Sequence, residues 1–252
     1  MNFRRWWMLV AGLAACLFTM VATAATASPR EVLVLGGTGK VGARIVRQLV
    51  AGGNRVTVFA RAGSDHHRIA DLPVQYAIGD LTQAADIAAA LHARTYNIVI
   101  SAVRVQDNDP HFFERFMQPL ASNAHATGVQ QLIHHSAVGA GANLAKFAGR
   151  GWEKNPGLVE RLKDQGIAED ILRASGVPYT IIRNAGIYPD SAPATGTAEL
   201  TEDDTALTSM TRADVARLTM QCVGNPACLG KTFHIRDPSL PWRPPQPDQD
   251  RE

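Results

Sequence analysis

A run of glycines between a buried strand pattern and an amphipathic helix pattern constrains this chain most. Glu31–Leu35 reads EVLVL, the continuous apolar run of a strand that is covered on both faces. Residues 36–42 follow directly as GGTGKVG. The next apolar residues repeat at helical spacing and share one face: Val41, Ile45, Val46, Leu49 and Val50. A strand, a glycine turn and a helix in this order open a βαβ unit and therefore predict a parallel sheet.

The same alternation continues to residue 236. Strands are predicted at 31–35, 55–59, 74–78, 97–101, 131–135, 179–183 and 231–236, and helices at 41–50, 84–92, 110–127, 157–175 and from Thr211 onwards. A chain of 252 residues suits one domain of this kind. We therefore predict a single α/β domain over residues 30–237, with a Rossmann-type, doubly wound parallel sheet. Residues 238–252 hold five prolines and are predicted to form an extended tail.

The glycine turn has the composition of a phosphate-binding loop. Gly36, Gly39 and Gly42 follow the spacing G-x-x-G-x-x-G. Glycines permit a tight turn and let the backbone approach a diphosphate, and the helix that follows offers unpaired N–H groups and a positive dipole end. The pattern therefore predicts that a dinucleotide binds here, through Gly36, Thr38, Gly39, Lys40, Val41 and Gly42.

The end of the second strand predicts which dinucleotide is bound. An acidic residue there would bind the ribose hydroxyls of NAD, but the strand ends Phe59-Ala60-Arg61. Arg61 can pair with a 2′-phosphate, and Lys40 can add a second cation. The charges therefore favour NADP over NAD, unless Arg61 is only a solvated loop charge.

The first residues form a targeting pattern. Arg4 and Arg5 precede an apolar stretch over residues 6–22, and residues 25–27 read ATA, a small-residue cleavage pattern. Residues 1–27 are therefore predicted to be an export signal that is removed in the periplasm. Two alternatives remain open, a membrane anchor that keeps residues 6–22 and lipidation at Cys16.

The export route and the cysteines bear on the same prediction. The pair Arg4-Arg5 permits twin-arginine export, which carries folded proteins with a cofactor already bound. Cys222 and Cys228 are the cysteines outside the leader, and the turn-rich stretch between them permits a disulfide in an oxidising compartment. Two buried free thiols are the alternative.

The charge balance limits the partners. Removing Arg4 and Arg5 lowers the Lys+Arg count from 25 to 23, which equals the 23 Asp+Glu residues. A neutral body offers no general attraction to nucleic acid. The expected partner is a small-molecule substrate, with membrane contact only through an uncleaved N-terminal segment. No metal site is expected, since His134 and His135 alternate across a strand and lack an acidic partner at ligand spacing.

Taken together, these patterns resemble the atypical short-chain dehydrogenase/reductases, in the NAD(P)H-binding, NmrA-like group, over about residues 31–237. The resemblance rests on residues 36–42 (GGTGKVG), 79–81 (GDL), 101–103 (SAV), 135–139 (HSAVG), 168–183 (AEDILRASGVPYTIIR) and 211–216 (TRADVA). It implies that Asp80 and Leu81 border the adenine, and that Ser101, Ala102 and Val103 line the nicotinamide ribose. It also places Ser136 where the family has its catalytic serine.

The chain departs from the family at two points. None of its four tyrosines has a lysine four residues later, so the Tyr-x-x-x-Lys proton donor is absent. Asn184 stands where the group has proline, and Asn184 and Tyr188 are predicted to border the substrate. We expect an NADP-dependent oxidoreductase for a small, mostly apolar substrate. The alternatives are a non-catalytic binding or sensing module and an epimerase or isomerase with tightly bound cofactor.

Overall fold

The computed structural model describes residues 28–104, 109–188 and 191–243. Within these residues lie the strands β1 (Glu31–Leu35), β2 (Arg55–Ala60), β3 (Gln75–Ile78), β4 (Ile98–Ser101), β5 (Gln131–Ala137), β6 (Tyr179–Asn184), β7 (Glu199–Thr201) and β8 (Lys231–Arg236). They form one sheet in the order β3-β2-β1-β4-β5-β6-β8-β7. All neighbours are parallel except β7, which pairs antiparallel with β8. The strand order reverses at β1 and β4, which places the topological switch point between them.

Helices cover both faces of the sheet. They are α1 (Lys40–Ala51), α2 (Ala84–His92), α3 (Phe112–Ala126), α4 (Pro156–Ala174) and α5 (Arg212–Cys222). Because side chains alternate along a strand, each strand feeds two hydrophobic cores. Ile133 of β5 packs with α1 and α5, whereas its neighbour Leu132 packs with α2, α3 and α4. These two sides are called the α1/α5 face and the α3/α4 face below.

The predicted fold class is confirmed. The strands at 31–35 and 231–236 and the helix at 84–92 lie where the patterns predicted them, and the other elements begin or end within two residues of their predicted bounds. The helix predicted from Thr211 onwards is α5, and the Thr211 side chain accepts a hydrogen bond from the Asp214 backbone N–H. The sequence did not predict β7 or the 3₁₀ segment Gly141–Phe147, because each is short and carries no periodic apolar pattern.

The proposed terminal segments are described only in part. The predicted export signal and residues 244–252 of the predicted tail lie outside the described residues. The first part of the tail contacts the domain, since the Ser209 N–H donates to Leu240 O at 3.0 Å. Cys222 and Cys228 form a disulfide, which resolves the alternative that the sequence left open. Within residues 28–104, 109–188 and 191–243, no helix is long and apolar enough to span a membrane.

Candidate functional site

The glycine turn brings the ends of β1 and β4 into contact. Gly36 has φ 75°, and a side-chain carbon on it would lie 2.5 Å from the Ala102 carbonyl oxygen. A side-chain carbon on Gly42 would lie 2.1 Å from the Gly36 carbonyl oxygen. The fold itself therefore requires glycine at both positions. The turn lies at the carboxyl edge of the sheet, beside the switch point, as predicted.

Gly39 differs from these two glycines. Its φ of −75° and ψ of 170° suit any residue, and it is exposed to solvent. A side-chain carbon on Gly39 would meet only the Gly36 carbonyl oxygen, at 3.3 Å. The protein backbone therefore tolerates a side chain at Gly39 far better than at Gly36 or Gly42. Steric limits of the fold alone therefore account for glycine less fully at Gly39 than at the other two positions.

The N-terminus of α1 offers donors to such a ligand. The first intrahelical bond runs from the Ala43 N–H to Gly39 O at 2.8 Å, so the N–H groups of residues 40–42 have no intrahelical acceptor. No side chain among the described residues caps this end. The Lys40 ammonium is buried without a hydrogen-bond partner in the part of the chain that the structure describes. These groups lie together at the positive end of the helix dipole, an arrangement that favours a negative charge.

Arg61 and Asp80 lie at the ends of the next two strands. Arg61 follows β2 and is exposed. The Asp80 carboxylate accepts hydrogen bonds from Thr82 N and Oγ1 at 2.8 and 2.9 Å. These bonds lower the pKa of Asp80, and the nearby charge of Arg61 adds a smaller effect. Arg61 and Asp80 therefore flank one part of the carboxyl edge, where the adenosine half is expected.

The remaining predicted cofactor residues lie along the same edge. The Ala102 N–H donates to Leu35 O at 3.0 Å, which continues the pairing of β1 and β4 beyond the last strand residue. The side chains that stay partly accessible there are those of Thr38, Val41, Leu81, Ala102 and Val103. Ser101 is fully buried on the α3/α4 face. The structure thus collects the predicted cofactor residues at the carboxyl ends of β1 to β4.

Ser136 lies beside a buried ion pair on the α3/α4 face. Arg183 of β6 donates to the Glu169 carboxylate of α4 at 2.9 and 2.6 Å, and Arg173 donates to the same carboxylate at 2.8 Å. Burial alone would raise the pKa of Glu169, but the bonds and charge of Arg183 outweigh it and the net pKa is lowered. The Ser136 hydroxyl is close enough to favour the charged carboxylate further. Its catalytic role stays a prediction.

Four neighbouring side chains on the α3/α4 face bury polar atoms that make no hydrogen bond of ordinary geometry, although Ser136 lies close to Glu169 and His134 close to Gln165. They are Ser101, His134, Ser136 and Gln165, named the unpaired row below, and the statement covers the described residues only. His134 lies 6.4 Å, ring to ring, from both Phe113 and Phe116. Burial lowers the pKa of His134 to about 4, so its ring is neutral at physiological pH.

His135 has the opposite surroundings on the α1/α5 face. Its Nε2 lies 3.1 Å from Thr219 Oγ1 of α5, and its Nδ1 lies 3.2 Å from the Asn184 amide nitrogen. Burial lowers the pKa of His135 to about 3. The two histidines thus point away from each other, as their adjacent positions in a strand predicted. Across residues 28–104, 109–188 and 191–243, no three metal-ligating side chains gather.

Aromatic side chains lie beyond the ends of β5 and β6. Trp152 stacks on Phe147 with ring centres 5.1 Å apart, and it packs so closely on Gly139 that a side-chain carbon there would lie 2.8 Å from the indole. The Tyr188 N–H donates to Met210 O at 2.8 Å, which fixes the segment after β6. Asn184 and Tyr188 are both half-buried. This end of the carboxyl edge therefore carries aromatic side chains beside the partly accessible Asn184.

Two long-range contacts of α4 were not predicted. Asp164 accepts hydrogen bonds from Phe113 N and Glu114 N at 2.7 and 2.9 Å and so caps the start of α3 from another helix. Glu169 pairs with Arg183, as described above. Asp164 and Glu169 are buried in α4 together with apolar residues such as Leu162 and Leu172. Buried carboxylates at such positions indicate that each has a hydrogen-bond or ion-pair partner. The partners themselves lie on other elements and leave no local pattern.

The chain matches one family model, described as NAD(P)H-binding, over residues 36–226. A curated relative, sterol demethylase protein B of Methylococcus capsulatus, is 34% identical over 167 residues. The match covers 62% of this chain and 51% of the relative, so the chain spans about half the length of this relative.

Solved structures share the fold. ChuY of Escherichia coli, described as an anaerobillin reductase, has a TM-score of 0.72 at 23% identity, and the match covers 85% of this chain and 99% of ChuY. A short-chain dehydrogenase/reductase of Veillonella parvula in complex with NADP has a TM-score of 0.68 at 14% identity, covering 84% of this chain and 97% of that one.

Proposed function

We propose that this chain, which belongs to the NAD(P)H-binding family, is an NADP-dependent oxidoreductase. The family match and the shared Rossmann fold confirm its resemblance to the atypical short-chain dehydrogenase/reductases. One observation carries the proposal. Gly39 is a glycine at which the backbone strains a side chain far less than at Gly36 or Gly42, and it directly precedes the uncapped amides of α1 and the unpaired Lys40 ammonium. This arrangement suits a diphosphate that lies against the turn.

The described residues divide the work of binding. The N–H groups of residues 40–42 and Lys40 would hold the diphosphate, and Arg61 would pair with the 2′-phosphate of NADP. The nicotinamide would supply the hydride chemistry when bound. Ser136 is our candidate catalytic hydroxyl. If Ser136→Ala lowers turnover and leaves cofactor affinity intact, that role is supported, whereas unchanged turnover makes Ser136 a structural residue.

The substrate is proposed to be small and mostly apolar. Trp152 and the half-buried Tyr188 provide apolar surface, and Asn184 lies at the same end. The names of two similar proteins, a reductase and a sterol demethylase component, favour redox chemistry on a ring system. A second candidate, dinucleotide binding without turnover, is favoured by the missing Tyr-x-x-x-Lys pair.

We also propose that the protein acts in the periplasm after export. The N-terminal sequence pattern and the Cys222–Cys228 disulfide support an oxidising compartment. If the periplasm supplies no free cofactor, the protein must be exported with the dinucleotide already bound. Mass analysis of nucleotide released from protein isolated from the periplasm tests this, since protein without nucleotide, or protein found in the cytoplasm, would contradict it.

Gly39→Val is expected to abolish dinucleotide binding and leave the fold intact. The valine side chain would occupy the space above the turn and separate the diphosphate from the amides. Loss of two charge-assisted bonds corresponds to about 100-fold or greater weakening. Titration calorimetry with NADPH measures it. Gly157→Val is the matched control, since Gly157 is also exposed near a helix start and its nearest neighbour would lie 3.7 Å away. Similar binding by both variants would contradict the proposed site.

Arg61→Ala is expected to weaken NADPH binding about tenfold to 100-fold and to leave NADH binding unchanged. The reason is that only NADPH carries the 2′-phosphate, and a charge-assisted bond contributes about 1.5 to 3 kcal/mol. Parallel titrations with the two cofactors measure the ratio. Equal weakening of NADPH and NADH binding would show that Arg61 does not recognise the 2′-phosphate of NADP.

A further inference from the structure

Three side chains form a hydrogen-bonded chain from α5 to the last residue of β6. Thr219 of α5 contacts His135 Nε2 at 3.1 Å, and His135 Nδ1 contacts the Asn184 amide nitrogen at 3.2 Å. Thr219 is 0% exposed and His135 is 5% exposed. Solvent therefore does not compete for these hydrogen bonds, and the Thr219–His135–Asn184 series can hold one defined arrangement of protons.

The proton positions follow from Thr219. Its hydroxyl has one proton, which it donates to Val215 O at 2.7 Å. Thr219 Oγ1 can then only accept from His135, so the histidine proton lies on Nε2. Because the buried ring is neutral, Nδ1 carries no proton and must accept from Asn184. The Asn184 amide nitrogen therefore faces His135.

If the Asn184 amide were turned by 180°, Asn184, His135 and Thr219 would make two hydrogen bonds instead of three. The turned amide would require a proton on His135 Nδ1, and Thr219 would have to donate to Nε2 instead of Val215 O. The hydrogen bonds of His135 and Thr219 thus fix the Asn184 side-chain oxygen on the side away from His135. This oxygen is buried and accepts no hydrogen bond from any described residue. A buried acceptor without a donor is costly, so a ligand with an N–H or O–H group is expected there.

The position of Asn184 identifies the ligand group. Asn184 ends β6 at the carboxyl edge, where it pairs with Ala137 of β5. The strand order β1-β4-β5-β6 puts it three strands from the glycine turn, or about 14 Å. A dinucleotide whose diphosphate lies on the turn extends along this edge with its nicotinamide half. The amide of the nicotinamide is the hydrogen-bond donor of its ring.

We propose that the Asn184 side-chain oxygen accepts a hydrogen bond from the nicotinamide carboxamide, and that His135 and Thr219 are positioning residues that orient it. This inference rests on the proposed function, because it requires a nicotinamide cofactor. It assigns a ligand-binding role to the residue at which this chain departs from its family. It also gives the buried His135 a purpose other than catalysis or metal binding.

The test compares NADP with its acetylpyridine analogue, in which a methyl group replaces the carboxamide amino group. The wild-type protein should bind NADP about fivefold to tenfold more tightly than the analogue, which corresponds to one hydrogen bond. Asn184→Leu should remove this preference, and Thr219→Val should reduce it. Thr180→Val is the matched control, because Thr180 is also buried and donates to Cys228 O at 2.8 Å, away from the carboxyl edge. It should keep the wild-type preference.

Nitrogen-15 NMR of the histidine rings provides a second readout that needs no ligand. The His135 ring should show a protonated Nε2 and an unprotonated Nδ1, and Thr219→Val should change this pattern. An equal preference for NADP in the wild-type protein and Asn184→Leu, or a proton on Nδ1, would overturn the inference. Failure of the wild-type protein to bind either dinucleotide would instead overturn the proposed function.

Discussion

The two faces of β5 carry the same residue type and surround it in opposite ways. His134 on the α3/α4 face packs against two phenylalanine rings, and neither ring nitrogen has a partner among the described residues. His135 on the α1/α5 face has a partner at each nitrogen. Because side chains alternate along a strand, the adjacent residues His134 and His135 lie on opposite faces of the sheet. The difference shows that polar residues in a strand acquire a role only from the layer that covers them.

The contrast extends beyond the histidines. The α3/α4 face buries the charged pair Glu169–Arg183 next to the unpaired row. On the α1/α5 side of β5 the polar side chains are neutral instead, and Gln131 there donates to both Thr180 Oγ1 and Cys222 O at 2.9 Å. We therefore expect the α3/α4 face to be more sensitive to the removal of a charge, whereas a buried, neutral histidine on each face makes stability depend on pH. Three predictions test this comparison.

The largest effect is expected from Glu169→Gln. This substitution leaves Arg183 buried without a counter-charge and should lower the free energy of unfolding by about 3 to 5 kcal/mol. Urea unfolding measures it. Asp71→Asn is the control, because the Arg47–Asp71 pair is exposed and should contribute at most about 1 kcal/mol. Equal, small losses in the two variants would mean that the Glu169 pair is solvated and that the faces do not differ in charge sensitivity.

The next effect is a loss of stability in acid that His134→Phe should reduce. Above pH 6.5 the histidine is neutral in both the folded and the unfolded chain. Below pH 6.5 the unfolded chain takes up a proton, but the folded chain does not until about pH 4, so stability falls as pH falls. The share of His134 is about 1.4 kcal/mol per pH unit. Unfolding curves from pH 7 to 4.5 measure the slope, and identical slopes in the variant and the wild-type protein would contradict the neutral buried ring.

The smallest effect separates the two histidines at pH 7. His135→Phe leaves Asn184 and Thr219 without their partner and should cost about 1 to 3 kcal/mol. His134→Phe replaces the imidazole, which makes no hydrogen bond of ordinary geometry, with another ring beside Phe113 and Phe116, so it should change stability by less than about 1 kcal/mol. Thermal and urea unfolding of the two variants give the comparison. The reverse order would show that the hydrogen bonds are assigned to the wrong face.

Local patterns predicted most of the fold and the cofactor half of the site. The turn at residues 36–42 was predictable because its glycines, the strand before it and the helix after it are adjacent in sequence. Thr211 and Asp214 were recognised as a helix start for the same reason. Arg61 and Asp80 follow strands whose ends meet at one edge of a parallel sheet.

The β5–β6 half of the site was not predictable in the same way. Asp164 lies 51 residues from Phe113, and His135 lies 84 residues from Thr219. Whether Ser136, His134 and Asn184 find partners depends on how α4 and α5 lie across the sheet. No short-range spacing records that placement.

The amino-acid sequence by itself determined the order of strands and helices, the phosphate turn and the split of the two histidines. Each of these depends on backbone geometry and on residues within a few positions of one another. Only the tertiary structure decided which buried polar groups are satisfied, that Glu169 pairs with Arg183, and that the Asn184 oxygen has no donor among the described residues. The physical reason is that a hydrogen bond needs both partners within about 3 Å, and side chains distant in sequence meet that condition only after the layers have packed.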